Sequence, residues 1–165
     1  MERISNRRKL LSGHRRNGAG AATCLRRVYG AIIVKNDEII STGYNGAPRG
    51  RKHCVTWAAP GKPCRFPGDS GTSCAAALHA EANAIISASR RDMVGSTLYL
   101  VGRDGQTGAL LGDATSAMCR RQVINAGITR VIIRRTETEF KVVDVNDWVH
   151  QEDDVPALRL SGPRA

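Results

Sequence analysis

Ile40-Ser41-Thr42-Gly43-Tyr44-Asn45-Gly46-Ala47-Pro48-Arg49-Gly50 ends one kind of sequence and begins another. On its N-terminal side, Gly30-Ala-Ile-Ile-Val34 is apolar and β-branched, and Lys35-Asn36-Asp37 is turn chemistry. Glu38 to Thr42 then reads as the returning strand of a β-hairpin. On the C-terminal side, the stretch up to Ser73 is rich in Gly, Pro and Cys and shows neither helical nor strand periodicity. A loop of that length inside a small domain is usually functional or pinned by something.

Farther outward the pattern turns helical. Cys74 to Ser89 is alanine-rich and predicts a helix ending near Arg90 and Arg91. Thr97-Leu-Tyr-Leu-Val101 predicts a buried strand, and Gly102 to Asp113, with four glycines, a loop or small excursion. A second helix is expected from about Ser116 to Ala126, capped by Gly127. Thr129–Arg134 predicts another strand, Lys141–Val145 a fifth at the edge, and Asn146–His150 a short helical turn. Hairpin, helix, strand, helix, strand is an α/β layout in which helices cover a sheet. The expected organisation is a basic segment over 1–22, one domain over 23–150 and a frayed tail over 151–165.

Composition narrows the class. A 165-residue chain that is 41% hydrophobic and 24% charged has ordinary globular proportions and can bury a real core. No apolar run is long enough to span a bilayer, and the N-terminus lacks the apolar stretch of a secretory signal, so a soluble, cytoplasmic protein is expected. Net charge is +10, with Arg and Lys clustered over the first sixteen residues and again at Arg26, Arg27, Arg49, Arg51 and Lys52. Such potential attracts phosphates, while a solvated basic tail is the plainer explanation of the N-terminal run. The chain holds two Phe, two Trp and three Tyr, too few for the stacking platforms of single-strand binders, so nucleic acid is disfavoured as a partner. Five cysteines, an odd number without an export signal, argue against a disulfide framework and leave thiols free for metal.

His79-Ala80-Glu81 near one helix start, with Cys119 near another, is the group that carries chemistry. A metal can bring water to a pKa of about 7. A nearby carboxylate that is not a ligand can move protons. By itself H-x-E is a weak signal, since His–Glu neighbours are common at surfaces and in cores.

Context strengthens it. From Thr23 to Arg134 the sequence resembles the deoxycytidylate (dCMP) deaminase family of the zinc-dependent, cytidine deaminase-like superfamily. The resemblance rests on Cys24–Val34, the Ile40–Gly50 run, His53-Cys54, Leu78–Ile85, Thr97-Leu-Tyr99 and Cys119–Ile128. It implies a three-layer α/β/α domain around a five-stranded mixed sheet. It also implies zinc on His79 and Cys119, Glu81 as proton shuttle, and a zinc-bound hydroxide converting dCMP to dUMP and ammonia. Asn45 matches the position that contacts the sugar, although Tyr-Asn-Gly is also turn chemistry in its own right. Tyr44, Gly46 and Ala80 are expected around the substrate mouth, with Arg26 or Arg49 as candidates for the phosphate. A regulatory nucleoside triphosphate and a homo-oligomer are further expectations drawn from relatives.

The sequence departs from the family in two places. Where the family has Pro-Cys-x-x-Cys, this chain reads Thr115-Ser116-Ala117-Met118-Cys119, so Ser116 stands where the first cysteine belongs. A neutral hard oxygen is a poor zinc ligand, and serine is also a good helix N-cap. Ser116 or Asp113 could lend a weak oxygen, the lineage could have lost catalysis and kept nucleotide binding, or the site could serve another amino-substituted base or specialised metabolite. The second departure is the polar first twenty residues, where relatives open with an apolar helix. Finally, Cys24, His53, Cys54, Cys64 and Cys74 could hold a second, structural zinc, or be buried thiols without metal.

Overall fold

The computed structural model describes residues 24, 26–51, 77–112 and 115–150. The hairpin is present as β1 (Arg27–Lys35) and β2 (Glu38–Tyr44), with Asn36 and Asp37 both at positive φ in its two-residue turn. Asn and Asp tolerate that conformation better than other side chains, which is why this turn closes here. Then come α1 (Ala80–Ile86), α2 (Arg90–Met93), β3 (Thr97–Asp104), α3 (Ala117–Ala126), β4 (Arg130–Arg134), β5 (Phe140–Asp144) and α4 (Val145–His150).

Five strands form one sheet in the order β2-β1-β3-β4-β5. The β3–β4 pair is parallel and the other three are antiparallel, so the sheet is mixed as expected. Strands β1 and β3 lie inside the sheet, and their runs Ala31–Val34 and Leu98–Val101 are buried on both faces. On one face Ala31, Ile33, Leu98, Leu100, Val131 and Ile133 meet all four described helices, through Ala80, Ala84, Met93, Val123, Ala126 and Val145. On the other, Ile32, Val34, Tyr99 and Val101 gather Leu110, Ile132 and Phe140. Fully buried side chains such as Ile33 and Leu98 each contribute about 1.5–3 kcal/mol. Among the described residues no helix contributes to that second cluster, and the expected segments 1–22 and 151–165 lie outside the described residues.

Helix α1 lies against β2 because two residue types permit it. A Cβ on Gly43 would overlap the Ala80 carbonyl oxygen and the Ala84 amide nitrogen. Ala80 and Ala84 are completely buried, and the Ser41 hydroxyl donates to the Ala84 carbonyl at 2.8 Å. The alanine-rich sequence therefore reflects a close backbone approach as well as helix propensity.

Among the boundaries that differ from the sequence reading, three have a clear physical cause. The expected helix from Cys74 to Ser89 begins only at Ala80, because Leu78 is extended and exchanges both backbone hydrogen bonds with Gly46 (2.8 and 3.1 Å). It also stops at Ile86, and α2 starts afresh with Ser89 accepting the Arg91 N–H as its N-cap. Finally, the expected loop from Gly102 begins three residues later. β3 continues to Asp104, since Tyr29, Val28 and Arg27 of β1 still pair with Gly102, Arg103 and Asp104. The Tyr29 ring covers Gly102, filling space that a side chain there would need. No helix among the described residues is long and apolar enough to cross a membrane.

Candidate active site

The sheet and its helices bring the chemistry-bearing residues together at the N-termini of α1 and α3. These two helices pack side by side. His79 is the N-cap of α1, Glu81 lies in its first turn, and Ser116 and Cys119 open α3. His79 Nδ1 stands 3.3 Å from Cys119 Sγ and 3.4 Å from Ser116 Oγ. Ser116 Oγ also accepts the Cys119 N–H at 3.2 Å, so it caps α3 as the sequence suggested. One donor atom each from His79, Glu81 and Cys119 falls within 4.8 Å of the others.

Electrostatics sharpen the group. Glu81 is only 4% exposed, and its carboxyl is raised above the ordinary range, chiefly because burial disfavours the charged form. A backbone hydrogen bond, the His79 imidazole and a hydrogen bond with Cys119 pull the other way. Burial, followed by the neighbouring Glu81 charge, pushes the Cys119 thiol up to about 11. A metal-free Cys119 is thus a protonated thiol at neutral pH, and a cation would have to displace that proton to bind.

This donor set fits zinc at two positions. Zinc bonds of about 2.1 Å to nitrogen and 2.3 Å to sulfur at a tetrahedral angle put the two ligand atoms about 3.6 Å apart, near the His79–Cys119 separation. The third position is weaker. Ser116 Oγ is a hard oxygen that already accepts one backbone N–H, and it stands 3.4 Å from His79 Nδ1.

The Tyr44–Gly46 segment is brought beside this centre by backbone contacts. Gly46 pairs with Leu78, immediately before His79, and Asn83 Nδ2 donates to the Tyr44 carbonyl at 2.7 Å. Tyr44 itself is exposed. The Asn45 side chain is buried and used structurally: its Oδ1 accepts the Tyr29 N–H at 2.8 Å and its Nδ2 donates to the Arg27 carbonyl at 2.7 Å. One lone pair and one N–H remain on that amide. Ala80 is wholly buried under Gly43. Arg26 is half-buried just before β1, and Arg49 is exposed in the turn after Pro48. No described contact joins either to the His79–Cys119 pair. Cys24 is a half-buried free cysteine, whereas His53, Cys54, Cys64, Cys74 and Asp113 lie outside the described residues. Asn83 and Ser41 were not singled out in the sequence. Asn83 could have been, since it lies four residues after His79 and hence on the same side of the helix.

Residues 12–135 match the family model described as the cytidine and deoxycytidylate deaminase zinc-binding region. The chain belongs to this family. Among its relatives, the deoxycytidylate deaminase of Mycobacterium phage D29 is 39% identical over 90 residues, covering 50% of this chain and 66% of that protein. The deoxycytidylate deaminase of Saccharomyces cerevisiae is 30% identical over 130 residues, covering 76% of this chain and 38% of that one. The chain thus spans less than two thirds of either relative's length. A crystal structure of dCMP deaminase from the cyanophage S-TIM5, in complex with dCMP and dUMP, superposes with a TM-score of 0.51. At 22% identity, covering 78% of this chain and 82% of that one, it shares the α/β fold with its five-stranded mixed sheet.

Proposed function

We propose that this member of the family hydrolyses the amino group from a pyrimidine nucleotide, converting dCMP and water to dUMP and ammonia. One observation carries the reading: a buried carboxyl with a raised pKa, Glu81, is held beside the imidazole–thiol pair His79 and Cys119. The relatives named deoxycytidylate deaminase and the dCMP-bound neighbour support the substrate class. His79 and Cys119 would hold zinc, with Ser116 as a weak third donor. When bound, zinc would supply a water acidic enough to react near neutral pH.

Glu81 does the proton work. Its carboxylate accepts a proton from the attacking water and passes it to the ring nitrogen; it then takes the second proton from the resulting C4 hydroxyl and gives it to the departing amine as the C4–N bond breaks. A pKa raised by burial moves this group toward neutral pH, where both taking and giving a proton are efficient. Tyr44, Asn45, Gly46 and Ala80 border the nucleotide in this reading, with Arg26 or Arg49 as candidates for its phosphate. A homo-oligomer and a regulatory nucleoside triphosphate belong to the same proposal. A second structural zinc on Cys24, His53, Cys54, Cys64 and Cys74 is proposed on the resemblance alone.

The serine at position 116 favours a second reading, a nucleotide-binding relative without turnover. Ammonia release from dCMP by zinc-reconstituted protein, run beside Glu81→Gln, decides between them. Turnover that falls by about 10²–10⁴-fold in the variant, with zinc content unchanged, supports the deaminase. A folded, zinc-loaded wild-type protein that binds dCMP and releases no ammonia supports the silent relative.

A further inference from the structure

A polar cleft of about 200 Å³ lies between α3, β4, β5 and α4, away from the His79–Cys119 pair. None of His79, Glu81, Ser116 and Cys119 lines it. Its walls include Thr115, Arg120, Ile133, Lys141, Asp147 and Trp148. Two of its donors are buried and unsatisfied. Thr115 is only 3% exposed and its hydroxyl has no hydrogen-bond partner among the described residues, and Arg120 Nε is likewise buried without one. Buried donors left without a partner cost about 1–3 kcal/mol each, so in a native fold such groups usually mark a place for water, an ion or a ligand.

The arrangement around them selects charge. The Arg120 guanidinium lies over the Trp148 ring, 5.6 Å from its centroid, and the ring restricts where that cation can go. Lys141, opposite Ile133 in the β4–β5 register, brings a second cation to the cleft. Asp147 is the one carboxylate on the described lining, so cations outnumber anions there two to one. A hydroxyl, a guanidinium N–H and an ammonium all donate and none needs a proton in return, which is the donor set for an oxyanion. Asp147 can meet a hydroxyl or protonated oxygen on the same ligand. The volume admits a phosphoryl group with little attached, and is below the roughly 300 Å³ at which pockets for drug-sized ligands begin.

We infer that this cleft is a phosphoryl-binding site, with Thr115, Arg120 and Lys141 as donors to a phosphate that is either free or the terminal group of a nucleotide. The inference stands apart from the deaminase reading, since it uses none of the residues given a role there. Thr115 adjoins Ser116, so an occupied cleft would bear directly on the residue that caps α3.

Calorimetric titration of the full chain with inorganic phosphate, against chloride at matched ionic strength, tests it. The expected result is saturable binding to phosphate alone, weakened about tenfold or more by Lys141→Gln, the loss of one charge-assisted contact. Thr115→Val, which keeps the shape and removes the hydroxyl, should weaken it as well. If that variant fails to fold, Lys141→Gln, at an exposed strand position, decides alone. Titration with adenosine 5′-monophosphate, which carries no cytosine, separates the two sources: tighter binding than phosphate marks a nucleotide, equal or weaker binding marks free phosphate. No saturable phosphate binding, or binding that Lys141→Gln leaves unchanged, overturns the site.

Discussion

Cys119 Sγ lies 3.3 Å from His79 Nδ1, although 40 residues separate them in the chain. Ser116 Oγ stands beside the pair, 3.4 Å from the same nitrogen, and holds the Cys119 amide. Two separable effects of changing Ser116 follow. Ser116→Ala should cost about 0.5–2 kcal/mol through loss of the α3 cap, read by chemical denaturation of metal-free protein. Ser116→Cys should tighten zinc by about tenfold or more, since even a lost outer partner of a ligand changes affinity 10- to 100-fold. Competition against a chromophoric chelator measures this, and equal affinities would remove Ser116 from the metal's surroundings.

Gly43 sets how closely α1 approaches the sheet. Gly43→Ala should destabilise the fold by about 1–3 kcal/mol, because the new methyl meets backbone atoms of Ala80 and Ala84 that have no rotamer to yield. Since the displaced helix carries His79 and Glu81, zinc affinity should fall with stability. Unchanged stability would mean that α1 sits farther from β2 than described.

Asn45 offers a test of position against contact. Both ends of its amide are bonded to the β1 backbone, so Asn45→Ala should cost about 1–3 kcal/mol in thermal or denaturant unfolding. If the remaining lone pair and N–H also hold the nucleotide sugar, KM for dCMP should rise in the same variant. A raised KM with undiminished stability would reverse the weighting and make substrate contact its main role.

Asp104 gives the fold a pH dependence away from the metal residues. Its Oδ1 accepts the Thr107 N–H at 2.8 Å, the Gln106 N–H at 3.0 Å and the Thr107 hydroxyl at 3.0 Å. These bonds, the Thr107 amide first, hold the carboxyl below its ordinary value of 3.8. A depressed folded-state pKa stabilises the fold above the unfolded value and is lost as pH falls through the folded one. Asp104→Ala should therefore be less stable than wild type at pH 7, with the gap narrowing below pH 3.8. A gap that stays constant down to pH 2 would show that the turn, and not the charge, accounts for it.

Local chemistry made much of this protein legible in its sequence. The β-branched run before Asn36-Asp37 fixed the hairpin, because turn residues with positive φ and a period of apolar residues act over a few positions. Gly127 at φ 80° capped α3 as its type requires. The His79-Ala-Glu81 spacing and the Cys119 segment pointed to the family, and Thr115–Cys119 read as a departure from its Pro-Cys-x-x-Cys pattern. Other features depended on contacts between distant segments. Leu78 reads as helix among its alanines, yet Gly46 claims both of its backbone hydrogen bonds and starts the helix two residues later. Gly43 looks like turn punctuation until α1 is seen lying on it. The convergence of Thr115, Arg120, Lys141 and Trp148 on one cleft is invisible in sequence, because β4, β5 and the helices α3 and α4 must pack before those donors share a space. The sequence determined which groups were available, through propensities that act locally. Only the tertiary structure decided which of them meet, since burial and hydrogen-bond satisfaction are settled by all the packed elements at once.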